Sequence, residues 1–237
     1  MLQANGVSSG YGRLQILSDV SLRAEAGEVT VVVGPNGSGK STLLKTIAGL
    51  TNLYSGEILL DGKPITNMPP HMIARSGLAY LPQTESVFIQ LSVEENIRMA
   101  AYTVPASAYA ARLERSLDMF PQINRYMKSK VQNLSGGERQ MVAMAMAMMR
   151  DPSVVMFDEP TANLSPKLAT LVLNTVQSLA KERNLTVLLV EQNAKKALQM
   201  GDEAYLLVGG KKAFGGKASD LLGHSELARM YLGLKTA

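Results

Sequence analysis

Apolar and polar residues are mixed along most of this chain, but residues 29–33, 78–81, 154–157 and 186–190 form short, nearly unbroken apolar runs. Runs of that length, apolar on both faces, suit strands buried inside a parallel sheet. Between and after them the period lengthens to that of helices, at 41–48, 93–102, 106–120, the stretch following Gly137, 166–182 and 193–200. This alternation predicts an α/β fold around a mixed or parallel sheet. Strand-like segments at 2–7, around Val20 and Leu22, and at 56–60 before the turn Asp61-Gly62 predict an antiparallel β layer beside that sheet. Residues 84–150 are helical throughout in pattern, so a helical subdomain is expected there, inserted in a single domain spanning 1–237. A hairpin about Gly209-Gly210 and a short helical tail complete the chain.

The methionine-rich run after Gln140 belongs to this pattern. Met141, Met144 and Met148 fall on one helical face, which predicts core packing by adaptable side chains rather than a binding surface. Composition adds bounds more than direction. A chain of 237 residues with 46% hydrophobic and 19% charged residues can bury a full core. It has no cysteine, which removes disulfides, thiolate metal sites and a cysteine nucleophile. The net charge of +4 is dispersed, with Lys195-Lys196 and Lys211-Lys212 the densest clusters, so a solvated face is expected and not a nucleic-acid surface. No apolar run approaches the ~18 residues that would span a bilayer, and no secretory segment is visible at the amino end.

The chemistry begins where the first buried run ends. Gly34-Pro35-Asn36-Gly37-Ser38-Gly39-Lys40-Ser41-Thr42 matches the pattern G-x-x-x-x-G-K-[ST] between a predicted strand and a predicted helix. Its glycines let several N–H groups converge on one anion, and the positive end of the following helix faces the same point. Lys40 is assigned to the terminal phosphates of a nucleotide and the Ser41 hydroxyl to Mg²⁺. A plain glycine-rich turn rarely has all of these features in that context.

A second strand end supplies carboxylates. The run 154–157 leads into Asp158-Glu159-Pro160, and parallel sheets collect ligands at the carboxyl ends of their strands. Asp158 is expected to serve Mg²⁺, and Glu159 to orient or deprotonate an attacking water. Between these two motifs lies Leu134-Ser135-Gly136-Gly137-Glu138-Arg139-Gln140. Alone it could be a flexible turn, but a hydroxyl and two glycines opening an apolar helix can close on an anion.

With these three motifs in order, the chain resembles the ATP-binding cassette (ABC) family of ATPases over essentially its whole length. The resemblance implies that Ser135, Gly136 and Gly137 close on the γ-phosphate held by the phosphate loop of a second cassette, so that two ATP molecules lie between head-to-tail subunits. It also implies that Tyr11 stacks on adenine, and that Gln83, in Tyr80-Leu81-Pro82-Gln83, links Mg²⁺ and water to a membrane partner. Two positions depart from the family pattern. Ser165 stands where an aspartate is usual, and Gln192 occupies the switch position where a histidine is usual. A glutamine amide can donate a hydrogen bond to the γ-phosphate but cannot take a proton or become cationic, which leaves hydrolysis dependent on Glu159.

The strings Tyr80-Leu81-Pro82-Gln83, Leu91-Ser92-Val93-Glu94-Glu95-Asn96-Ile97 and Leu189-Val190-Glu191-Gln192-Asn193-Ala194 narrow the resemblance to the ATP-binding subunit of branched-chain amino acid importers. Relatives of that branch carry urea, amides or other neutral amino acids. ATP, Mg²⁺, two integral-membrane permease subunits, a second cassette and an extracytoplasmic solute-binding protein are the partners this implies, at the cytoplasmic face of the cell membrane. Phe88, in an apolar loop just past Gln83, is expected to receive the permease. The alternative is a cassette ATPase detached from any transporter, for which a coiled-coil insertion, a second cassette or a basic tract would be expected and is not seen.

Overall fold

In a computed structural model of the chain, which describes residues 1–84, 86–224, 226 and 231, two sheets share the molecule. The smaller is antiparallel, with strands β1 (Leu2–Tyr11), β2 (Leu14–Ala24), β4 (Asn52–Leu60) and β5 (Lys63–Pro64) in the order β2-β1-β4-β5. The larger comprises β3 (Val29–Val33), β6 (Leu78–Leu81), β7 (Val154–Asp158), β8 (Thr186–Val190), β9 (Glu203–Val208) and β10 (Lys211–Lys217), in the order β10-β9-β3-β8-β7-β6. It is parallel except at β10, which pairs antiparallel with β9 across the Gly209-Gly210 turn.

The unbroken apolar runs have a direct explanation in this layering. Because side chains alternate across a strand, each central strand feeds two cores at once. Val31, Val155, Phe157, Val187 and Leu189 face the helical side, whereas Val32, Val154, Met156, Leu188 and Val190 face the antiparallel sheet. No solvent-facing register exists, so no polar alternation appears. Between the sheets runs α1 (Lys40–Ile47), which buries Leu43, Leu44 and Ile47 in the second core.

On the other face lie α3 (Val93–Ala100), α4 (Ala106–Met119) and α5 (Gly136–Met148), the last two joined through 3₁₀ segments at Pro121–Tyr126 and Val131–Asn133. Three methionines of α5 are core, as their spacing predicts: Met141, Met144 and Met148 are buried with the sheet residues above, whereas Met146 is half-buried. After β7 come α6 (Pro166–Arg183), α7 (Ala194–Met200) and α8 (Ala218–Gly223). The short helix expected after the hairpin is present as α8, and residues 225, 227–230 and 232–237 lie outside the described residues. The short helix α2 (Pro70–Arg75) and the extension of β1 and β4 beyond their predicted limits were not legible, since Pro69-Pro70, Gly6 and Gly56 read locally as breakers.

One buried amide fixes the loop between β6 and α3. Asn96, fully buried in α3, accepts from Phe88 N–H at 2.7 Å and donates to the carbonyls of Phe88 and Ser92, each at 2.9 Å. The same loop is tied to the segment before Ser135 by Val131 N–H to Leu91 O at 2.9 Å and Gln132 N–H to Ile89 O at 2.8 Å. Replacing Asn96 by alanine leaves Phe88 N–H without its acceptor, while Phe88 O keeps Leu91 N–H, and is expected to cost about 1–3 kcal/mol of unfolding free energy, readable by urea titration.

Candidate functional site

The nine residues from Gly34 to Thr42 turn sharply out of β3 into α1. Gly34 has φ +150°, and a Cβ there would lie 2.1 Å from Leu207 O, so only glycine leaves the strand along this path. Gly37, at φ +76°, has open space where a Cβ would point, which keeps the loop backbone accessible from the cleft. No side chain caps α1 and no acidic residue lies in its first turn. Its leading N–H groups and positive end are thus left for an anion. The Ser38 hydroxyl is buried in the loop with no hydrogen-bond partner among the described residues, which suits a donor to a phosphate oxygen.

Lys40 is 5% exposed and bends back over the loop, its ammonium donating to Gly34 O at 3.0 Å and Pro35 O at 3.1 Å. Burial pulls its pKa below the usual lysine range, while Glu159 and Asp158 pull in the other direction. Asp158, at the end of β7, is held by both oxygens: Ser41 Oγ donates to Oδ1 at 2.9 Å and the Tyr80 hydroxyl to Oδ2 at 3.1 Å. Burial and the neighbouring Asp158 carboxylate push the Tyr80 phenol well above its ordinary range, so it remains a hydrogen-bond donor. Among the described residues no three His, Cys, Asp or Glu side chains converge as a cation cage. A single carboxylate with an adjacent hydroxyl at a phosphate loop is instead the donor set of Mg²⁺, which takes its other ligands from water and phosphate.

Glu159 follows in a left-handed conformation, φ +50°, an arrangement that costs of order 1 kcal/mol or more and that turns its side chain out of the strand direction. Its N–H donates to Val190 O at 2.9 Å, prolonging the β7–β8 ladder by one step, and Gln83 Nε2 donates to its carboxylate at 3.2 Å. A cavity of about 500 Å³ results, lined by Asn36, Gly37, Lys40, Ser41, Thr42, Gln83, Glu159 and Gln192. With Ile16, residues from five separate stretches of sequence therefore meet around one cleft. Tyr11, half-exposed at the end of β1, is not among the lining residues.

Ser135, Gly136 and Gly137 are not there either. Ser135 caps α5, where its hydroxyl donates to Glu138 at 2.7 Å and accepts from Glu138 N–H at 3.4 Å. Glu138 is held below the usual carboxylate range, first by a hydrogen bond from Tyr126, then by those of Ser135 and the charge of Arg125. Cβ atoms at Gly136 and Gly137 would approach Leu164 and Leu168 of the same chain, so these glycines let α5 pack against the start of α6. Ser165, at the N-cap of α6, makes no side-chain capping bond.

Three residues that the motifs did not reveal take part in this arrangement. Tyr80 is the second partner of Asp158. Glu138 completes a capping box with Ser135, a pattern that Ser-x-x-Glu before an apolar run does signal. Glu191, 2% exposed after β8, has its pKa raised by burial against the lowering effect of hydrogen bonds from Thr161, Asn193 and Gln192. Nothing in one sequence tells which way such a carboxylate points. Separately, an apolar cleft of about 460 Å³ runs between the sheet and the helical face, with Leu50, Ile73, Phe88, Met99 and Met146 on its walls. Phe88 and Ile89 are exposed beside it.

Comparison with known proteins places these features in context. The ABC transporter family model matches residues 17–162. Over 234 residues the chain is 49% identical to the probable branched-chain amino acid transport ATP-binding protein LivF of Archaeoglobus fulgidus, covering 99% of each chain. Among solved structures it superposes on the ADP conformation of MJ1267, an ATP-binding cassette of an ABC transporter, with a TM-score of 0.87 at 25% identity, covering 97% of each chain. It also resembles the dimeric post-hydrolysis state of the cassette MJ0796 bound to ADP and Pi, with a TM-score of 0.78 at 25% identity over 92% of this chain and 99% of that one.

Proposed function

Since this chain belongs to the ABC transporter family, we propose that it is the ATP-hydrolysing subunit of an importer for branched-chain or similarly neutral amino acids, working as one of two head-to-tail cassettes. The observation that carries the reading is the meeting of Lys40, Ser41, Glu159, Gln83 and Gln192 at one cavity, with Asp158 hydrogen-bonded to Ser41 behind it. No helix of the described residues is long and apolar enough to cross a membrane. In this reading the chain is attached through permease subunits, at the cytoplasmic face. An extracytoplasmic solute-binding protein completes the assembled system.

The chemistry asked of these residues is placement and charge neutralisation more than covalent work. Loop N–H groups, the first turn of α1 and Lys40 hold the phosphate chain of ATP, with Tyr11 stacked on the adenine. Mg²⁺, held by Ser41 and Asp158 with the Gln83 amide oxygen nearby, would supply positive charge against the phosphates. Tyr80 keeps Asp158 aimed at Ser41. Glu159 takes a proton from the attacking water, and Gln192 donates a hydrogen bond to the terminal phosphate without changing charge. Ser135, Gly136 and Gly137 of the opposite cassette close the far side of the pocket. Residues 84–150 act as the helical subdomain that carries this signature. Its apolar cleft beside Phe88 takes a helix of the permease, and solute choice lies with the permease and the binding protein.

Co-purification with a permease pair tests the reading. Phe88→Asp is expected to weaken that association by ~2 kcal/mol, roughly 30-fold, as removal of an exposed aromatic anchor does. Affinity of the isolated chain for ATP should stay within about twofold, because Phe88 does not line the phosphate cavity. Unaltered recovery of the permease with Phe88→Asp would remove the docking assignment. Failure of the wild-type chain to release phosphate from ATP would remove the function itself.

A further inference from the structure

Two short loops border the cavity at its Glu159 end, the turn 159–164 after β7 and the segment Gln192-Asn193 after β8. Both hang from one side chain. The Glu191 carboxylate accepts from Thr161 N–H at 3.1 Å through Oε1 and from Gln192 N–H at 3.2 Å through Oε2. At 2% exposure it is a costly group to bury, and among the described residues no lysine or arginine forms an ion pair with it. The Thr161 hydroxyl and backbone N–H groups from these two loops are what stabilise it.

The turn transmits whatever Glu191 fixes. Ala162 N–H donates to Glu159 O at 3.1 Å and Leu164 N–H to Thr161 O at 3.2 Å, so Thr161 sits between two interlocked tight turns. Glu159 and Asn163 within them both have positive φ, at +50° and +61°, conformations that persist only where surroundings enforce them. A shift of Thr161 therefore moves Glu159. On the other side, Gln192 can act on a phosphate only through the position of its neutral amide, since it has no charge to work at a distance.

We infer that Glu191 is a positioning residue that holds Gln192 and the Glu159 turn in a single arrangement, so that the hydrogen-bond donor and the general base reach the terminal phosphate together. This rests on the proposed ATPase function and adds a role for a side chain that does not touch the phosphate cavity. Losing a charge-assisted acceptor for two N–H groups is expected to lower kcat of Glu191→Ala by about tenfold or more, with KM for ATP within about threefold. Glu191→Gln, which retains one acceptor oxygen, should lose less.

The test is a cycle of Glu191→Ala, Gln192→Ala and the double variant, followed by phosphate release, binding of a fluorescent ATP analogue and thermal melting. Because the two residues act through one arrangement, the double variant is expected to lose clearly less than the product of the single losses. Independent, multiplicative losses would overturn the inference. So would a loss of melting temperature that tracks kcat across Glu191→Ala and Glu191→Gln, which is the mark of an anchor with no more than a folding role. Should Glu191→Ala fail to fold, the near-isosteric Glu191→Gln carries the same cycle. A wild-type chain without ATPase activity would instead count against the proposed function, whereas impaired Gln192→Ala alongside wild-type-like Glu191 variants would sink this inference alone.

Discussion

Glu159→Gln is expected to lower ATP turnover by about 10²–10⁴-fold while leaving nucleotide affinity within a few fold, the range attributed to a positioned general base. The substitution is nearly isosteric. Glutamine can still accept through its amide oxygen from Gln83, and its backbone still donates to Val190, so the turn that begins at residue 159 is retained. What disappears is a carboxylate able to accept a proton. Under the shared-site reading, ATP binding closes the two cassettes and hydrolysis reopens them, so blocking the second step accumulates the closed form. Size-exclusion chromatography with light scattering should therefore show a dimer with ATP and Mg²⁺ and a monomer without them. Turnover near wild type would contradict the assignment of Glu159 as base.

Ser135→Arg tests the other half of the composite pocket. Within one chain Ser135 does not line the phosphate cavity, so single-chain ATP affinity should change by no more than about threefold. Its replacement also removes a helix cap, since Ser135 accepts from Glu138 N–H, and a loss of ~1 kcal/mol in stability is expected from that cause alone. Ser135→Ala supplies the control, because it loses the cap without adding bulk or charge. Arginine should go further, abolishing ATP-dependent dimerisation and lowering turnover by about 10²-fold or more, as a cationic side chain wedged into a close-packed contact prevents closure.

A mixing experiment sharpens the point. Glu159→Gln and Ser135→Arg chains are each nearly inactive, yet a mixed dimer contains one pocket with Glu159 from the Ser135→Arg chain and Ser135 from the Glu159→Gln chain. Partial recovery of phosphate release on mixing is the expected result, because only one of the two contacts then carries the added bulk and a dimer of Ser135→Arg chains carries it in both. Its absence, with mixed dimers demonstrably formed, would mean that each pocket is completed within its own chain.

Local motifs in this chain were legible because their parts are joined by a few bonds. The loop 34–42 needs only its own glycines and the strand and helix on either side, so spacing specified both its shape and its anion preference. The apolar runs marked β3, β6, β7 and β8 within a residue of their ends for the same reason, and five of the helices after residue 84, α3 to α7, followed from their period. Core packing of Met141, Met144 and Met148 was equally a matter of one helical repeat.

The pairings that complete the site are of another kind. Ser41 and Asp158 lie 117 residues apart, Tyr80 and Asp158 78 apart, and Gln83 and Glu159 76 apart. They meet because β7 pairs with β6 on one edge and β8 on the other, while β3 pairs with β8. The sequence alone determined which residue types could bind phosphate, hold a divalent cation or accept a proton, because those are properties of single side chains and of backbone within reach of a turn. Tertiary structure alone decided that Tyr80 shares Asp158, that Glu191 turns inward to serve two loops, and that Ser135 lies away from the phosphate cavity. Strand order and side-chain direction are set by how two cores are filled at once, and no local spacing encodes that.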